Sequence, residues 1–308
     1  MKKQFANLFK LSNIVLFALL IFLSSCQIDE SPNSFQFVFM TDIHVQPELN
    51  ADQGFKQAIK KVNQLNPDFV ITGGDLVFDV LGQSFERANQ LYDMYVDVCN
   101  NFNMPVYNTI GNHEVFGLYE KSGISPNHDE YGKQMFKNRI GYENTYYSFD
   151  HKGWHFMILD DIGFTEKRRY IAEIDSGQFK WIIEDLKNVQ KETPIVISLH
   201  IPLISVGKQM LDGGTAALSP GLVLENSHEI LNLFKDHNLR IVLQGHLHIV
   251  EEIIYKNTHF ITAGAVSARW WKGSYSGFPE GFAVIDVTEN NFKWNYESFG
   301  WQTVFKEE

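Results

Sequence analysis

Five short apolar runs, each ending in polar residues, constrain the fold of this chain more than any other feature of its sequence. The runs are rich in β-branched and aromatic residues, which is typical of strands buried on both faces. They lie at residues 35–40, 69–72, 106–110, 195–199 and 240–244. Stretches with helical spacing lie between several of them, such as the one that carries Phe55, Ile59, Val62 and Leu65. This alternation predicts an α/β fold in which helices pack on sheets.

A second group of strand-like segments has hardly any helix between its members. It includes "TYYSF", "WHFMIL", "EEIIY", "HFIT", "FAVIDV" and "FKWNYESF". We expect these segments to form a second sheet that packs on the first. Both sheets would belong to one domain at residues 35–308, since 308 residues are enough for one large core.

The polar clusters that follow the five runs supply candidate metal ligands. Ligands of open α/β sheets bind at the carboxyl ends of strands, where these clusters lie. The candidates are Asp42, His44, Asp75, Asn112, His113, His200, His246 and His248. Carboxylate, amide and imidazole groups without thiolates suit Zn, Mn, Fe or Co. Eight groups are too many for one tetrahedral ion, so the sequence favours two divalent ions.

Glycines accompany these clusters. We expect them to allow the sharp turns and positive φ angles that bring several side chains to one point. They are Gly73, Gly74, Gly111 and Gly245.

The order and spacing of the clusters resemble the five signature blocks of calcineurin-like metallophosphoesterases. The blocks here are Asp42-x-His44, Gly74-Asp75, Gly111-Asn112-His113-Glu114, His200 and Gly245-His246-x-His248. The resemblance runs from about Phe35 to Val287 and implies the four-layer αββα sandwich of that family. It also implies that Asp75 bridges two metal ions. One ion would be bound by Asp42, His44, Asp75 and His248, and the other by Asp75, Asn112, His200 and His246.

The same resemblance implies a metal-dependent phosphoric ester hydrolase. In such enzymes a hydroxide that bridges the two ions attacks phosphorus. His113 matches the catalytic histidine that contacts the phosphoryl group or protonates the leaving oxygen, a role that histidine can perform near neutral pH. A phosphodiesterase-like activity is favoured; a phosphomonoesterase of the acid-phosphatase kind and an inactive metal-binding lipoprotein are the alternatives. Glu114 would either orient His113 or lie exposed.

Candidate substrate contacts lie outside the metal blocks. Residues 267–287 resemble the last segment of phosphodiesterase-like family members, in which Arg269 would meet a phosphate and Trp270 would stack on a base or sugar. The alternative is that Trp270 and Trp271 only plug the second sheet. Two loops, residues 115–134 and 201–221, begin beside the metal blocks and are expected to form the substrate wall.

The first 25 residues predict a secretory signal peptide. Three lysines accompany an apolar run at residues 14–23, which is too short to span a bilayer. The "LSSC" at its end resembles the lipobox of bacterial lipoproteins, which implies that Cys26 is lipidated and that residues 26–34 form a tether. The alternative is a chance cysteine after an ordinary signal peptide. We expect a lipid-anchored protein of the bacterial cell envelope, on the periplasmic face or the cell surface.

The charge of the chain limits its partners. The formal net charge is −11, and it becomes −14 without the first 26 residues, which hold three lysines and no acid. A nucleic-acid duplex is therefore not expected as a partner, since its binding depends on clustered Lys and Arg. The expected partner is a small phosphate ester, and the oligomeric state stays open. The remaining histidines, including His155, have no partner motif and are expected to be solvated or packed.

Overall fold

The computed structural model describes residues 33–289 and 291–306. The signal peptide, Cys26 and most of the tether predicted from the sequence lie outside these residues. Among the described helices, none combines the length and the apolar character that crossing a membrane requires.

The first sheet has five strands in the order β13-β12-β1-β2-β3. Their bounds are Phe35–Met40 (β1), Phe69–Gly73 (β2), Val106–Thr109 (β3), Phe282–Thr288 (β12) and Asn291–Glu297 (β13). Strands β1, β2 and β3 are parallel, whereas β12 and β13 extend the sheet in antiparallel pairing.

The second sheet has six strands in the order β10-β11-β9-β8-β5-β4. Their bounds are Tyr147–His151 (β4), Trp154–Ile158 (β5), Pro194–Ser198 (β8), Asn238–Gln244 (β9), Val250–Tyr255 (β10) and Thr258–Ala263 (β11). Its four central strands are parallel, and an antiparallel strand lies at each edge. A separate hairpin pairs Ile162–Phe164 (β6) with Tyr170–Ala172 (β7).

Six α-helices lie within the described residues, and the longer ones cover the outer faces of the two sheets. Their bounds are Ala51–Leu65 (α1), Phe85–Cys99 (α2), Gln134–Ile140 (α3), Ser176–Leu186 (α4), Gly207–Asp212 (α5) and Ser227–Leu233 (α6). Helices α1 and α2 pack in a core with the first sheet, and α4 and α6 pack in another with the second sheet. A third core lies between the sheets.

Strand β1 shows how the sequence produces these layers. Successive strand residues point to opposite faces. Phe35, Phe37 and Phe39 accordingly enter the core between the sheets, and Val38 and Met40 enter the core beneath α1 and α2. Both faces of the strand are buried except at the half-buried Gln36, which explains why the rest of the strand is apolar. The layers are helix, sheet, sheet and helix, so the αββα fold class expected from the sequence is confirmed.

The expected division of strands between the sheets is wrong in part. Strands β8 and β9 belong to the second sheet, although their apolar runs match those of the first. Conversely, β12 and β13, which correspond to "FAVIDV" and "FKWNYESF", complete the first sheet. A strand buried on both faces looks the same in either sheet, so only its pairing partners decide where it lies.

Candidate metal centre

The turns that follow five strands meet beyond the carboxyl ends of those strands, at one end of the two packed sheets. The backbone N–H of Asp42 donates to the Gly74 carbonyl at 3.0 Å, and that of His44 donates to the Asp75 carbonyl at 2.9 Å. In the second sheet, the N–H of Gly245, after β9, donates to the His200 carbonyl, after β8, at 2.9 Å. These bonds position the polar side chains that the sequence placed at the strand ends.

A first group of side chains converges around Asp42, His44 and His248. His248 Nε2 lies 3.2 Å from Asp42 Oδ1, and His44 Nε2 lies 3.2 Å from His248 Nε2. All three side chains are buried. Their ligand atoms lie within 4.8 Å of one another, which is close enough for one metal ion to contact all three.

A second group converges around Asp75, His200 and His246. His200 Nε2 lies 3.2 Å from Asp75 Oδ1, 3.1 Å from Asn112 Oδ1 and 3.3 Å from His246 Nδ1. The other carboxylate oxygen of Asp75, Oδ2, lies 3.6 Å from His44 Nε2 in the first group. Asp75 therefore turns one oxygen toward each group, as a bridging ligand would.

Backbone carbonyls fix which imidazole nitrogens face the centre. His200 Nδ1 donates to the Gly73 carbonyl at 2.8 Å, and His248 Nδ1 donates to the Ala268 carbonyl. When each ring is neutral, its Nε2 atom then has a lone pair directed at the cluster. A carbonyl partner on the far nitrogen is the usual arrangement for a metal-ligating histidine. Two pairs of ring nitrogens lie 3.2–3.3 Å apart: His44 Nε2 with His248 Nε2, and His246 Nδ1 with His200 Nε2. A cation bound by both nitrogens of a pair would explain why they lie so close together.

Charge states in the cluster also fit metal ligands. Burial, together with the positive charge of His113, lowers the pKa of His44 to about 3, and burial beside His200 lowers that of His246 to about 4. Burial alone would raise the pKa of Asp42, but the charge and hydrogen bond of His248, together with the charge of His200, lower it to about 2. Burial also opposes a charge on His200, yet the charge and hydrogen bond of Asp75, together with the charges of Asp42 and Asp161, raise its pKa to about 10. Metal binding at His200 would therefore release a proton.

The backbone reaches this geometry differently from the expectation. Among the four glycines named above, Gly74 alone has a positive φ, of +85°. The ligands themselves are left-handed, with φ angles of 54° at Asp42, 48° at His44, 51° at Asp75, 69° at His246 and 55° at His248. Such conformations cost about 1–3 kcal/mol each and concentrate at functional sites. Gly245 instead allows its backbone to lie close to the Thr41 side chain, since a Cβ there would lie 2.0 Å from Thr41 Oγ1.

Glu114 performs neither of the roles expected for it. The side chain is fully buried, and its carboxylate accepts the backbone N–H groups of Asp75 and Gly111, both at 2.8 Å. The N–H groups of Leu76 and Val77 donate to it as well, at 2.8 and 3.1 Å. Burial and the negative charge of Asp75 raise its pKa to about 8. Glu114 therefore holds together the two turns that carry Asp75 and Asn112.

Asp161 has a matching role that the sequence interpretation missed. Its buried carboxylate accepts the backbone N–H of Ile201 at 2.8 Å and that of His200 at 3.4 Å. Burial raises the pKa of Asp161 to about 7 although His200 opposes the shift. The signal was present, since "FMIL" runs into "DD" as the other strands run into their clusters. The block lacks histidine and glycine, so its sequence does not distinguish it from an ordinary strand end.

His113 lies at the edge of the cluster and is open to solvent. Its Nδ1 contacts the Phe78 carbonyl, so Nε2 faces the centre, 3.8 Å from Asp75 Oδ2. The side chain is 23% exposed, whereas those of His44 and His200 are fully buried. An approaching substrate can therefore reach His113. One of its nitrogens also lies within 4.8 Å of ligand atoms of His44 and Asp75, so its assignment as a catalytic group stays a prediction.

The two neighbouring tryptophans have different surroundings. Trp271 is buried, and its Nε1 donates to the Ile43 and His44 carbonyls at 3.0 Å, so it is a packing residue. It packs in the core of the first sheet, not the second as expected. Trp270 is half-buried, and its ring centroid lies 4.8 Å from that of His248. Arg269 precedes it in the same turn, where its backbone N–H donates to the Gly273 carbonyl at 2.9 Å; its role as a substrate contact stays a prediction.

Comparison with known proteins agrees with this site. Residues 35–250 match the calcineurin-like phosphoesterase family, to which this chain belongs. It is a metallophosphoesterase with a centre suited to two metal ions. A solved dimetal phosphatase from Danio rerio has the same fold, with a TM-score of 0.62, 13% identity and coverage of 86% of this chain and 96% of that one.

Two curated relatives are named as phosphodiesterases. A Xenorhabdus bovienii protein described as a "probable cyclic nucleotide phosphodiesterase" is 21% identical over 82% of this chain and 95% of its own length. The 3′,5′-cyclic adenosine monophosphate phosphodiesterase of Haemophilus influenzae is 24% identical over 65% of this chain and 62% of its own length.

Proposed function

We propose that this metallophosphoesterase is a phosphodiesterase that acts on small phosphodiesters carrying a flat ring, such as a nucleobase. The observation that carries the proposal is an aromatic wall beside the first ligand group, formed by Trp270 and Tyr275. The Trp270 centroid lies 4.8 Å from His248 and 6.1 Å from His44, and the Tyr275 centroid lies 5.8 Å from His248. Both aromatic residues are half-buried, so each leaves part of its ring open. The two curated relatives support the same substrate class.

The chemistry requires two divalent ions, which would polarise water and the phosphoryl oxygens when bound. The ligands would be Asp42, His44, Asp75 and His248 for one ion, and Asp75, Asn112, His200 and His246 for the other. Because these donors are nitrogen and oxygen atoms, we propose Mn, Fe, Zn or Co as the metals. His113 would donate a proton from Nε2 to the leaving oxygen, and Trp270 would hold the flat ring of the substrate.

We also propose that the enzyme is a lipoprotein of the bacterial cell envelope. The support is the "LSSC" sequence at the end of the apolar run at residues 14–23, with Cys26 as the lipidated residue. Detergent partitioning and intact mass of the wild type and of Cys26→Ser test this location. An unmodified Cys26 thiol in the wild type would contradict the lipid anchor and leave the phosphodiesterase proposal intact.

The substrate class is tested with the Mn-loaded full-length protein in detergent. We expect a higher kcat/KM for bis(4-nitrophenyl) phosphate than for 4-nitrophenyl phosphate, and turnover of nucleotide diesters above that of sugar phosphates or phospholipid head groups. Loss of stacking in Trp270→Leu should raise KM for a nucleotide diester about tenfold, since base–aromatic stacking is worth about 1–3 kcal/mol. Trp270→Phe is the matched control and should retain most of the affinity. A clear preference for the monoester would favour the phosphomonoesterase alternative.

A further inference from the structure

A second wall lies beside the other ligand group and differs from the aromatic wall. Tyr170, on strand β7, has its ring centroid 6.3 Å from that of His246, and the two rings are nearly perpendicular. A Cβ at Gly221 would lie 3.3 Å from the Tyr170 ring, so the loop that follows His200 packs against it. Tyr170 is half-buried, so it lies between the metal centre and the protein surface.

Two cations lie over the ring of Tyr119, and one of them, Arg169, directly precedes Tyr170 in the chain. The Arg169 guanidinium lies 5.0 Å from the Tyr119 ring centroid, and Lys121 Nζ lies 5.8 Å from it. Both cationic residues are exposed, whereas Tyr119 is half-buried. The chain as a whole has a formal net charge of −11, so two cations gathered on one ring form a local positive site in an acidic protein.

Hydrogen bonds and packing fix these groups in place. Arg168 holds the β6–β7 hairpin on the loop after His113, because its guanidinium donates to the Leu118 carbonyl at 2.8 Å and to the Ile124 carbonyl at 2.9 Å. Lys121 lies across Gly82, where an added Cβ would come within 2.0 Å of its Cε. The hairpin and the loop that carry the cations are therefore ordered before any ligand binds, which reduces the entropy cost of binding.

The two tyrosine hydroxyls add hydrogen-bond donors. Burial, together with the negative charges of Asp79 and Asp75, raises the pKa of Tyr119. An ordinary tyrosine hydroxyl has a pKa of about 10, so both hydroxyls keep their protons near neutral pH. Cationic groups together with O–H donors are suited to an anion with several acceptor oxygens, such as a phosphate.

We propose that Arg169, Lys121 and Tyr119 form a subsite for a second phosphate group of the substrate. The substrate would be a linear nucleotide phosphodiester with a terminal phosphate: its scissile phosphorus lies at the metal centre, a base stacks on Trp270, and the terminal phosphate reaches Arg169. The subsite rests on the proposed phosphodiesterase function and narrows it, because a cyclic nucleotide with one phosphate would leave the subsite unused. Hydrolysis adds water across one P–O bond of the linking diester, and the leaving oxygen takes the proton.

The test compares two dinucleotides, ApA and pApA, which differ only in the terminal phosphate. The Mn-loaded full-length protein is assayed in detergent, and products are separated by chromatography. We expect kcat/KM to be about tenfold or more higher for pApA, since charge-assisted hydrogen bonds to phosphate are about twice as strong as neutral ones. Cleavage of the linking diester yields nucleosides and nucleotides without inorganic phosphate.

Variants assign the preference to the subsite. Arg169→Ala should lower the pApA-to-ApA ratio of kcat/KM about tenfold, and the double variant with Lys121→Ala should bring the ratio close to one. Arg169→Lys should retain part of the preference because it keeps the positive charge. It should lose the rest because lysine lacks the planar guanidinium, which can donate two N–H groups to one phosphate. Lys167→Ala removes an exposed cation from the same hairpin and should leave the ratio and the ApA turnover unchanged. Thermal melting of each variant verifies that it is folded.

The outcomes separate this subsite from the proposed function. A wild-type ratio near one, an unchanged ratio in the double variant, or an equal loss in Lys167→Ala would overturn the subsite. Release of inorganic phosphate from pApA as the main product would overturn it too, since the terminal phosphate would then be the reacting group. An enzyme that hydrolyses bis(4-nitrophenyl) phosphate and neither dinucleotide overturns the subsite alone. Failure with all three diesters would overturn the phosphodiesterase proposal as well.

Discussion

Two clusters of histidine and aspartate lie at opposite ends of strand β5, and only one of them has the form of a metal site. The metal centre lies beyond the carboxyl ends of the central strands, next to Asp161. The other cluster lies at the beginning of β5, where His155 Nδ1 is 2.7 Å from Asp150 Oδ1 and Nε2 is 2.7 Å from Asp185 Oδ2. Ser148 Oγ donates to the second oxygen of Asp185 at 2.7 Å.

The two clusters differ in the directions in which their ligand atoms point. In the metal centre, ligand atoms from several side chains converge on common points. In the cluster around His155, the two carboxylates lie on opposite nitrogens of one ring, so their oxygens face apart and each accepts an N–H of the protonated imidazole. Within residues 33–289 and 291–306, every group with convergent ligand atoms belongs to the metal centre. Histidine and aspartate therefore form a metal site only where the backbone directs their ligand atoms toward a common point.

The largest difference between the two clusters should appear when one carboxylate in each is changed to an amide. Asp75→Asn should lower turnover by more than about 100-fold and reduce binding of both ions, because even supporting residues of metal sites cost 10–100-fold when removed. Asp185→Asn, the matched change in the other cluster, should leave turnover and metal content unchanged. Kinetic assays and metal analysis of purified protein measure both effects. Near wild-type activity with two bound ions in Asp75→Asn would disprove the bridging assignment.

The next contrast concerns one histidine in each cluster. His113→Ala should lower kcat by roughly 10²–10⁴, the usual contribution of a general acid or base, and leave the metal content unchanged. His155→Ala should leave kcat unchanged and reduce only thermal stability. Loss of an ion from His113→Ala would show that His113 is a metal ligand, consistent with its distance from His44 and Asp75.

A smaller effect should follow when a supporting carboxylate is changed. Glu114→Gln places an amide where four backbone N–H groups now donate to a carboxylate, so the turns that carry Asp75 and Asn112 should loosen. We expect metal affinity to fall by about 10–100-fold, as for other residues that orient ligands. Titration with Mn measures the change, and the exposed Glu184→Gln is the control. Unchanged affinity would mean that the backbone bonds between the turns suffice.

The smallest effect is the pH dependence of the cluster around His155. Burial opposes its charge, but the hydrogen bonds to Asp185 and Asp150 raise the pKa of His155 above 6.5. The stabilisation should therefore be fully present below about pH 6.5 and be lost as pH rises through the raised pKa. It should amount to no more than about 1 kcal/mol, because Asp150 is 80% exposed.

Urea unfolding of the wild type and of His155→Gln, from about pH 6 to 9, measures this contribution. The difference in free energy of unfolding between the two proteins should shrink as pH increases. A difference that grows with pH would contradict the ion-pair interpretation.

The predictability of the site varied with the type of residue. The ligand blocks were found because a polar cluster after an apolar strand is a local pattern, visible in "TDIH", "GNHE" and "GHLH". Tyr119, Tyr170 and Tyr275 were not predicted from the sequence, because each lies in a loop or hairpin that no periodicity describes. Asp161 and Glu114 were missed or misread for another reason: their partners are backbone N–H groups, which every residue carries.

The sequence by itself determined the layered α/β class, the ends of the strands and the set of candidate ligands. These properties follow from short-range periodicity and from residue type, which do not require knowledge of distant neighbours. Only the tertiary structure decided which sheet holds each strand, since β8 could pair in either sheet on its apolar pattern alone. It also decided that Asp75 faces both ligand groups while His155 faces two separated carboxylates. The direction of a side chain depends on left-handed turns and on contacts between residues that are far apart in the chain, such as Asp42 with His246, 204 positions away.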